Sequence, residues 1–175
     1  MTDDVIGREK HRERHRSVEA LYRRYFSVIR EKCRRMLSDP QEAEDVAQET
    51  FTRLWLRGPS GDSAEAALPW IYATSTRLVV DRLRRRRRAR CADLGRSGAH
   101  VTLDAPDEVV ATRQLLQALA RKLSERELAL AILLRLDGFT QPDAARTLGT
   151  SERTVRRLLT QIDARIAALT REERT

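Results

Sequence analysis

The residues of this chain best suited to contact another molecule lie near its C-terminus, where basic side chains recur at helical spacing. Arg153, Arg156, Arg157 and Thr160 fall on one face of a predicted helix. The opposite face is an apolar stripe made of Val155, Leu158, Leu159, Ile162, Ile166 and Leu169. Guanidinium groups donate hydrogen bonds to phosphates and to base edges in the major groove. A helix that buries one stripe and presents basic residues in its first turns is therefore typical of a DNA-reading helix.

The preceding residues predict a short helix and a tight corner that would position this DNA-reading helix. Thr140 is a good N-cap, Pro142 falls in the first turn, and the Asp143 carboxylate lies near the free backbone amides. Gly149 suits a left-handed corner, and Ser151 is placed to cap the second helix. The sequence therefore predicts a helix-turn-helix. The alternative is an ordinary helical hairpin with a solvated basic face.

The composition indicates a polyanionic partner. The chain has 175 residues, of which 34 are Lys or Arg and 26 are Asp or Glu, giving a formal net charge of +8. Its lysines are Lys10, Lys32 and Lys122, so arginine supplies most of the positive charge. Because arginine suits phosphate and base-edge contacts, nucleic acid fits this composition better than a membrane does.

Other classes of function find little support in the sequence. No apolar run approaches the roughly 18 residues of a membrane span, and none follows the basic N-terminus to form a signal peptide. We therefore expect no membrane insertion and a cytoplasmic protein. Cys33 and Cys91 lie far apart, which argues against a zinc site or a disulfide framework. No nucleophile–base pair, phosphate loop or metal-ligand set is recognisable, so we expect neither an enzyme nor a bound cofactor.

The N-terminal part of the chain reads as a basic tail, residues 1–17, followed by a first helix. The helix is predicted from an apolar face made of Val18, Leu21, Tyr22, Tyr25, Phe26, Ile29, Cys33, Met36 and Leu37. Cys33 lies on that face, where a small core residue is more common than a redox switch.

A second helix has the clearest start signal in the chain, with Asp39 as N-cap, Pro40 at the first position and Glu42 completing a capping box. Its apolar side comprises Ala43, Val46, Ala47, Thr50, Phe51, Leu54 and Trp55. Its other side, the acidic stripe, comprises Glu42, Asp45, Gln48, Glu49 and Thr52. The helix dipole favours acids only in the first turn, so we predict that this stripe binds a basic protein partner. Simple solubility is the alternative.

A loop is predicted over residues 57–69, which contain two glycines and two prolines, and a third helix from Trp70 to about Arg88. The end of this helix is an arginine run made of Arg82, Arg84, Arg85, Arg86, Arg87, Arg88 and Arg90. So many like charges repel one another. We therefore expect phosphates to neutralise the run, although a solvated tail is the common alternative.

Residues 93–106 read as a flexible linker, after which helices resume. Ser124 and Glu127 form a second capping box, and Gly138 closes the helix that they begin. No strand signal is visible. The predicted fold is all-α, with two small helical bundles over residues 18–92 and 107–175, the second of which contains the helix-turn-helix.

Three stretches, in register, resemble the extracytoplasmic-function (ECF) members of the sigma-70 family, the promoter-specificity subunits of bacterial RNA polymerase. The region 2 helix that docks on the clamp helices of the largest polymerase subunit is similar to "DPQEAEDVAQETFTRLW". The helix that melts and reads the −10 element resembles "LPWIYATSTRLVVDRLRRRRR". Region 4, which reads the −35 element, resembles "LSERELALAILLRLDGFTQPDAARTLGTSERTVRRLL".

This resemblance implies three groups of binding residues. Core polymerase would contact Asp45, Gln48 and Glu49, which coincide with the acidic stripe. The −10 element would contact Trp70, Arg77, Arg84 and Arg85. The −35 element would contact Ser151, Arg153, Thr154, Arg156 and Arg157. The family usually has an arginine at the position of Ala73 and an asparagine at that of Arg77.

The predicted function is that of an initiation factor that directs core RNA polymerase to promoter DNA and assists promoter melting. An anti-sigma partner is implied by the resemblance alone. One alternative is a dimeric, stand-alone helix-turn-helix regulator, which would have no use for the acidic stripe. The other is a basic RNA-binding protein, for which the arginine run would be the main site.

Overall fold

The computed structural model describes residues 2–57, 64–92 and 106–172, with side chains described over 16–57, 67–89 and 106–168. The described residues form helices joined by short connections and contain no strand. The helices are α1 (Thr2–Met36), α2 (Pro40–Arg57), α3 (Ala64–Ala92), α4 (Asp107–Lys122), α5 (Glu125–Arg135), α6 (Gln141–Leu148) and α7 (Glu152–Glu172). The all-α prediction is confirmed.

Two predicted helix starts are wrong. Helix α1 begins at Thr2, so the backbone of the predicted basic tail is already helical; its Arg, Glu and Lys residues are good helix formers. Helix α3 begins at Ala64 and has Pro69 in its interior. The alanines and Leu68 favour the helix strongly enough to tolerate the one backbone hydrogen bond that proline removes. The rest of the predicted loop, residues 58–63, and the linker residues 93–105 lie outside the described part of the chain.

The N-terminal half of the protein consists of α1, α2 and α3. These helices pack against one another through the apolar faces predicted from the sequence. Ile29 of α1 is fully buried, as are Ile71 and Val79 of α3. The Tyr22 ring stacks on that of Phe26, with centroids 4.6 Å apart, and such aromatic contacts add to the energy of burial. Trp55, predicted on the apolar side of α2, is instead 49% exposed.

The C-terminal half of the protein, which consists of α4 to α7, is built around α5. Seven consecutive residues of this helix are buried: Glu127, Leu128, Ala129, Leu130, Ala131, Ile132 and Leu133. A helix that is apolar all round has to be covered on every side. Helices α6 and α7 cover one side of α5, and α3 of the N-terminal half covers another.

The two halves consequently share one hydrophobic core. Helix α3 packs on α4, α5 and α6, and α1 packs on α4. The Lys32 ammonium of α1 lies 2.8 Å from the Asp137 carboxylate, which follows α5. The sequence predicts two bundles on a tether, and the structure adds that the bundles are packed against each other.

Candidate nucleic-acid interface

The helix-turn-helix forms as the sequence predicts, because both ends of α6 and the start of α7 are capped. The Thr140 hydroxyl accepts a hydrogen bond from the Asp143 amide at 3.3 Å. Gly149 ends α6 in the left-handed conformation, with φ of 61° and ψ of 47°, which only glycine adopts at low cost. The Ser151 hydroxyl then accepts from the Thr154 amide at 3.3 Å and caps α7. These caps fix the direction in which α7 leaves the corner.

The basic face of α7 is open to solvent. Val155, Leu158 and Ile162 are buried against the rest of the half, so the opposite side of the helix must point outward. On that side Arg153, Arg156, Arg157 and Thr160 are exposed, and Ser151 and Thr154 lie at the corner. The Arg156 guanidinium lies 3.7 Å from Glu152 in a surface pair, and such pairs contribute little energy. The arginines are therefore available to an external anion.

The far part of α7 is anchored to the preceding helices. Arg165 donates to the Lys122 carbonyl at 2.6 Å and lies 3.3 Å from the Glu127 carboxylate. That carboxylate also accepts from the Ser124 amide at 2.7 Å, which completes the predicted capping box. Burial raises the pKa of Glu127, but the hydrogen bonds from Ser124 and the Arg165 charge outweigh it and hold the pKa below its usual value.

Several side chains of the arginine run have partners within the molecule, which a solvated tail would lack. Arg85 pairs with Asp81 at 2.8 Å, and Arg86 pairs with Glu42 of α2 at 2.6 Å. Glu42, which was predicted to complete the capping box of α2, thus contacts α3. Arg84 and Arg87 reach the end of α4, where they donate to the carbonyls of Leu123 at 3.0 Å and Ala120 at 3.1 Å. The side chain of Arg90 lies outside the described residues.

The remaining predicted −10 residues lie in different environments. Trp70 is half-buried, and the Arg57 guanidinium lies 5.4 Å from its ring centroid. Arg77 is exposed and free to contact a ligand. Ala73, at the family's usual arginine position, is buried in the protein. Because an arginine at position 73 would be buried, Arg77 is the better placed of the two positions for a DNA contact.

The acidic stripe of α2 is only partly free. Asp45 and Gln48 are exposed. Glu49 is half-buried and pairs with Arg53 at 2.6 Å and with Arg82 of α3 at 3.5 Å. The three predicted docking residues therefore share one helix, but Glu49 also helps to hold α2 against α3.

Sequence reasoning missed the buried ion pair between the halves. The Lys32 and Asp137 side chains are 8% and 4% exposed. Burial lowers the pKa of Lys32 and raises that of Asp137, while each partner's charge opposes the shift. The sequence does contain a signal, since Lys32 lies between Ile29, Cys33 and Met36 on the apolar face of α1. A lysine on such a face needs a partner.

The structure gives no sign of a reactive centre in its described residues. Cys33 is a buried free thiol whose pKa is raised by burial to about 12, which suits a core residue. No group of metal-binding side chains occurs among the described residues. None of the helices in the described ranges is long and apolar enough to cross a membrane.

Two family models match the two halves of the chain in order. Residues 21–89 match sigma-70 region 2, and residues 122–170 match a homeodomain-like domain. The first match covers α2 with the acidic stripe and nearly all of α3, while the second covers the whole helix-turn-helix.

Several curated sigma factors are similar to this chain. ECF RNA polymerase sigma factor SigF from Caulobacter vibrioides is 33% identical over 119 residues, or 68% of this chain and 65% of that protein. SigL from Mycobacterium tuberculosis is 28% identical over 142 residues, or 79% of this chain and 80% of that protein. SigW from Bacillus subtilis is 38% identical over 63 residues, only 36% of this chain and 34% of that protein. With a match to sigma-70 region 2 ahead of the helix-turn-helix, and with these sigma factors among its relatives, the chain belongs to the ECF group of the sigma-70 family of RNA polymerase sigma factors.

Proposed function

We propose that this protein is a sequence-specific transcription initiation factor that directs bacterial core RNA polymerase to promoter DNA and assists promoter melting. The observation that carries the proposal is the capped, exposed basic face of α7 in a chain whose other half matches sigma-70 region 2. Its action is non-covalent, because it positions polymerase on DNA by binding both, in the cytoplasm.

Core polymerase is proposed to dock on the acidic stripe through Asp45, Gln48 and Glu49. The exposure of Asp45 and Gln48 supports this role. A stripe of one sign on a strongly basic protein favours a basic protein surface and disfavours DNA. The pairing of Glu49 with Arg82 makes Asp45 the cleaner residue for a test.

The −10 element is proposed to bind along α3, through Trp70, Arg77, Arg84 and Arg85. Trp70 offers an aromatic face on which an unpaired base could stack. Arg77 is exposed without competing contacts described for it, and the other two arginines would contact phosphates. Contacts to an unstacked strand stabilise melted DNA relative to the duplex.

The −35 element is proposed to bind α7 in the major groove. Ser151, Arg153, Thr154, Arg156 and Arg157 lie at its N-terminal end, where the recognition helix of a helix-turn-helix contacts base edges. Arg156 is the preferred base reader because it is exposed in the second turn of α7, on the face opposite the buried apolar stripe. By family analogy, an anti-sigma factor is proposed as a regulatory partner.

The proposal is tested by capture of core RNA polymerase on the immobilised protein. We expect the wild type to retain the polymerase and Asp45→Lys to lose most of it, since the new charge repels a basic docking surface. Asp163→Lys is the matched control, because Asp163 is an exposed acid of the C-terminal half. Failure of the wild type to retain polymerase, while it still binds DNA, would favour a stand-alone regulator.

A further inference from the structure

A cavity of about 480 Å³ lies between α1, α3, α4 and the turn that follows α5. Its apolar walls are formed by Val28, Met36, Leu136 and the Tyr72 ring. Val28 is 47% exposed although it is a large aliphatic side chain. Sites for small molecules usually measure roughly 300–1,000 Å³ and combine apolar walls with a few polar groups. The cavity therefore has the size and the lining of a small-molecule site.

The most deeply buried charges of the lining already have partners. The Lys32 ammonium lies 2.8 Å from the Asp137 carboxylate and donates to the Thr76 hydroxyl at 2.7 Å. A ligand that recruited either charge would break a buried ion pair, which is costly. The other charged side chains that line the cavity, Glu31 and Arg35 of α1, are exposed and therefore lie at its mouth.

Glu31 and Arg35 have the spacing of a helical ion pair but do not form one. A glutamate four positions before an arginine is the favourable order for such a pair. Among the residues whose side chains the structure describes, neither Glu31 nor Arg35 forms an ion pair. Other acid–arginine pairs of the same spacing do close: Glu19–Arg23 and Glu49–Arg53 at 2.6 Å, Asp81–Arg85 at 2.8 Å and Glu152–Arg156 at 3.7 Å. The two charges at the cavity mouth are thus open to a ligand that carries both signs.

The chemistry of these two side chains fits the two charged groups of an α-amino acid. A guanidinium group binds a carboxylate through two parallel hydrogen bonds, and a glutamate carboxylate accepts hydrogen bonds from an ammonium group. Side chains four positions apart on a helix have Cβ atoms only about 5–6 Å apart, so Glu31 and Arg35 can hold one small molecule together. An α-amino acid carries its side chain on the same carbon as both charged groups, so that side chain can enter the cavity.

We propose that this cavity binds an α-amino acid with a large apolar side chain. Arg35 holds the ligand carboxylate and Glu31 holds its ammonium group, while the apolar part lies against the Tyr72 ring and Met36. An aromatic ring and a thioether both make favourable contacts with an aromatic ligand. The inference goes beyond the proposed function, because binding of this ligand needs neither polymerase nor DNA.

The test is an NMR titration of the full chain, in which shifts of the backbone amides report Kd and show where the ligand binds. L-phenylalanine is the probe. Phenethylamine lacks its carboxylate, hydrocinnamate lacks its ammonium group, and glycine lacks its ring. We expect L-phenylalanine to bind about tenfold or more tightly than each of the first two, since each loses one charge-assisted hydrogen bond. Glycine should bind more weakly still, because it leaves the apolar walls uncovered.

Variants at the cavity mouth assign each charged group to its partner. Arg35→Gln should weaken L-phenylalanine binding about tenfold or more and should not weaken phenethylamine binding. Glu31→Gln should likewise weaken L-phenylalanine binding without weakening that of hydrocinnamate. Arg23→Gln and Glu19→Gln are the matched controls, because they come from an exposed pair of the same spacing on the same helix, outside the cavity. Far-UV circular dichroism checks that every variant keeps its helical content.

Three results would overturn the proposal. If L-phenylalanine gives no saturable shifts at the amides around the cavity, the cavity is not its site. Equal affinities for L-phenylalanine and its two singly charged analogues would exclude recognition of a zwitterion, and equal affinity for glycine would exclude burial of an apolar side chain. Losses as large in the Arg23 and Glu19 variants would remove Arg35 and Glu31 from the site. Polymerase capture does not affect these readings, so the proposed function and this inference can fail separately.

Discussion

The two arginine-rich segments of this protein, one at the end of α3 and one at the start of α7, have very different surroundings. On α3, Arg84, Arg85 and Arg87 all have partners within the molecule, two of them on α4. On α7, Arg153 and Arg157 are exposed, and the only ion pair described for Arg156 is a weak one with Glu152. The denser cluster of charge is thus the less available one.

The difference follows from what each helix packs against. Helix α3 is covered by both halves, so the long side chains at its end reach carboxylates of α2 and carbonyls of α4. The first turns of α7 pack through the apolar stripe, which turns Arg153, Arg156 and Arg157 away from the protein. A sequence shows where charge is concentrated, but availability depends on the neighbours that the fold supplies.

The largest effect should come from removal of the packing that aims α7. Leu158→Ala deletes a buried side chain and should lower the free energy of unfolding by about 2–5 kcal/mol. The −35 affinity should fall as well, although every arginine remains. Chemical denaturation followed by circular dichroism measures the loss. Leu159→Ala, at the adjacent half-buried position, should cost clearly less; equal losses would mean that burial of Leu158 does not fix the helix.

Next in size is the loss of a proposed base reader. Arg156→Ala should weaken binding of the holoenzyme to its own −35 sequence by about 1–3 kcal/mol if the guanidinium holds a guanine bidentately. A scrambled duplex should lose much less, as should the Arg126→Ala control, an exposed arginine of α5. Equal losses on both duplexes would make Arg156 a phosphate contact and leave the base reader unidentified.

Glu127, which anchors the far part of α7 through Arg165, should make a smaller and pH-dependent contribution to the free energy of unfolding. Because folding lowers the pKa of Glu127, its contribution to stability is present above the ordinary glutamate pKa and is lost as pH falls through the lowered value. Ser124→Ala should cost about 1 kcal/mol at neutral pH. Glu127→Gln should reduce the loss of unfolding free energy as the pH is lowered, which urea unfolding at several pH values measures. An unchanged dependence on pH would contradict the stabilising role of the Glu127 carboxylate.

The smallest effect on DNA binding is expected at the arginine run, and it should be the same for every promoter sequence. Arg84→Gln in the holoenzyme should reduce the salt slope of DNA binding by about 0.9, the value for one phosphate contact. Specific and scrambled promoters should lose affinity alike. Arg121→Gln on α4 is the control. A loss confined to one promoter sequence would assign base readout to α3 and remove the contrast with α7.

Local structure was largely predictable. Thr140, Gly149 and Ser151 fixed the helix-turn-helix because caps and corners depend on residues only a few positions apart. The exposure of the α7 arginines followed from helical periodicity. The burial of Leu158 followed from the same periodicity, which places it on the apolar stripe.

The contacts between the halves were decided by the tertiary structure. Lys32 and Asp137 are 105 positions apart, and nothing local indicates which buried charge meets which. The partners of Arg84 and Arg87 are carbonyl groups, which every residue carries and no sequence pattern marks. The apolar surface all round α5 did determine that this helix would be covered on every side. Which helices cover it depended on the packing of both halves, because the hydrophobic effect rewards burial without specifying the partner.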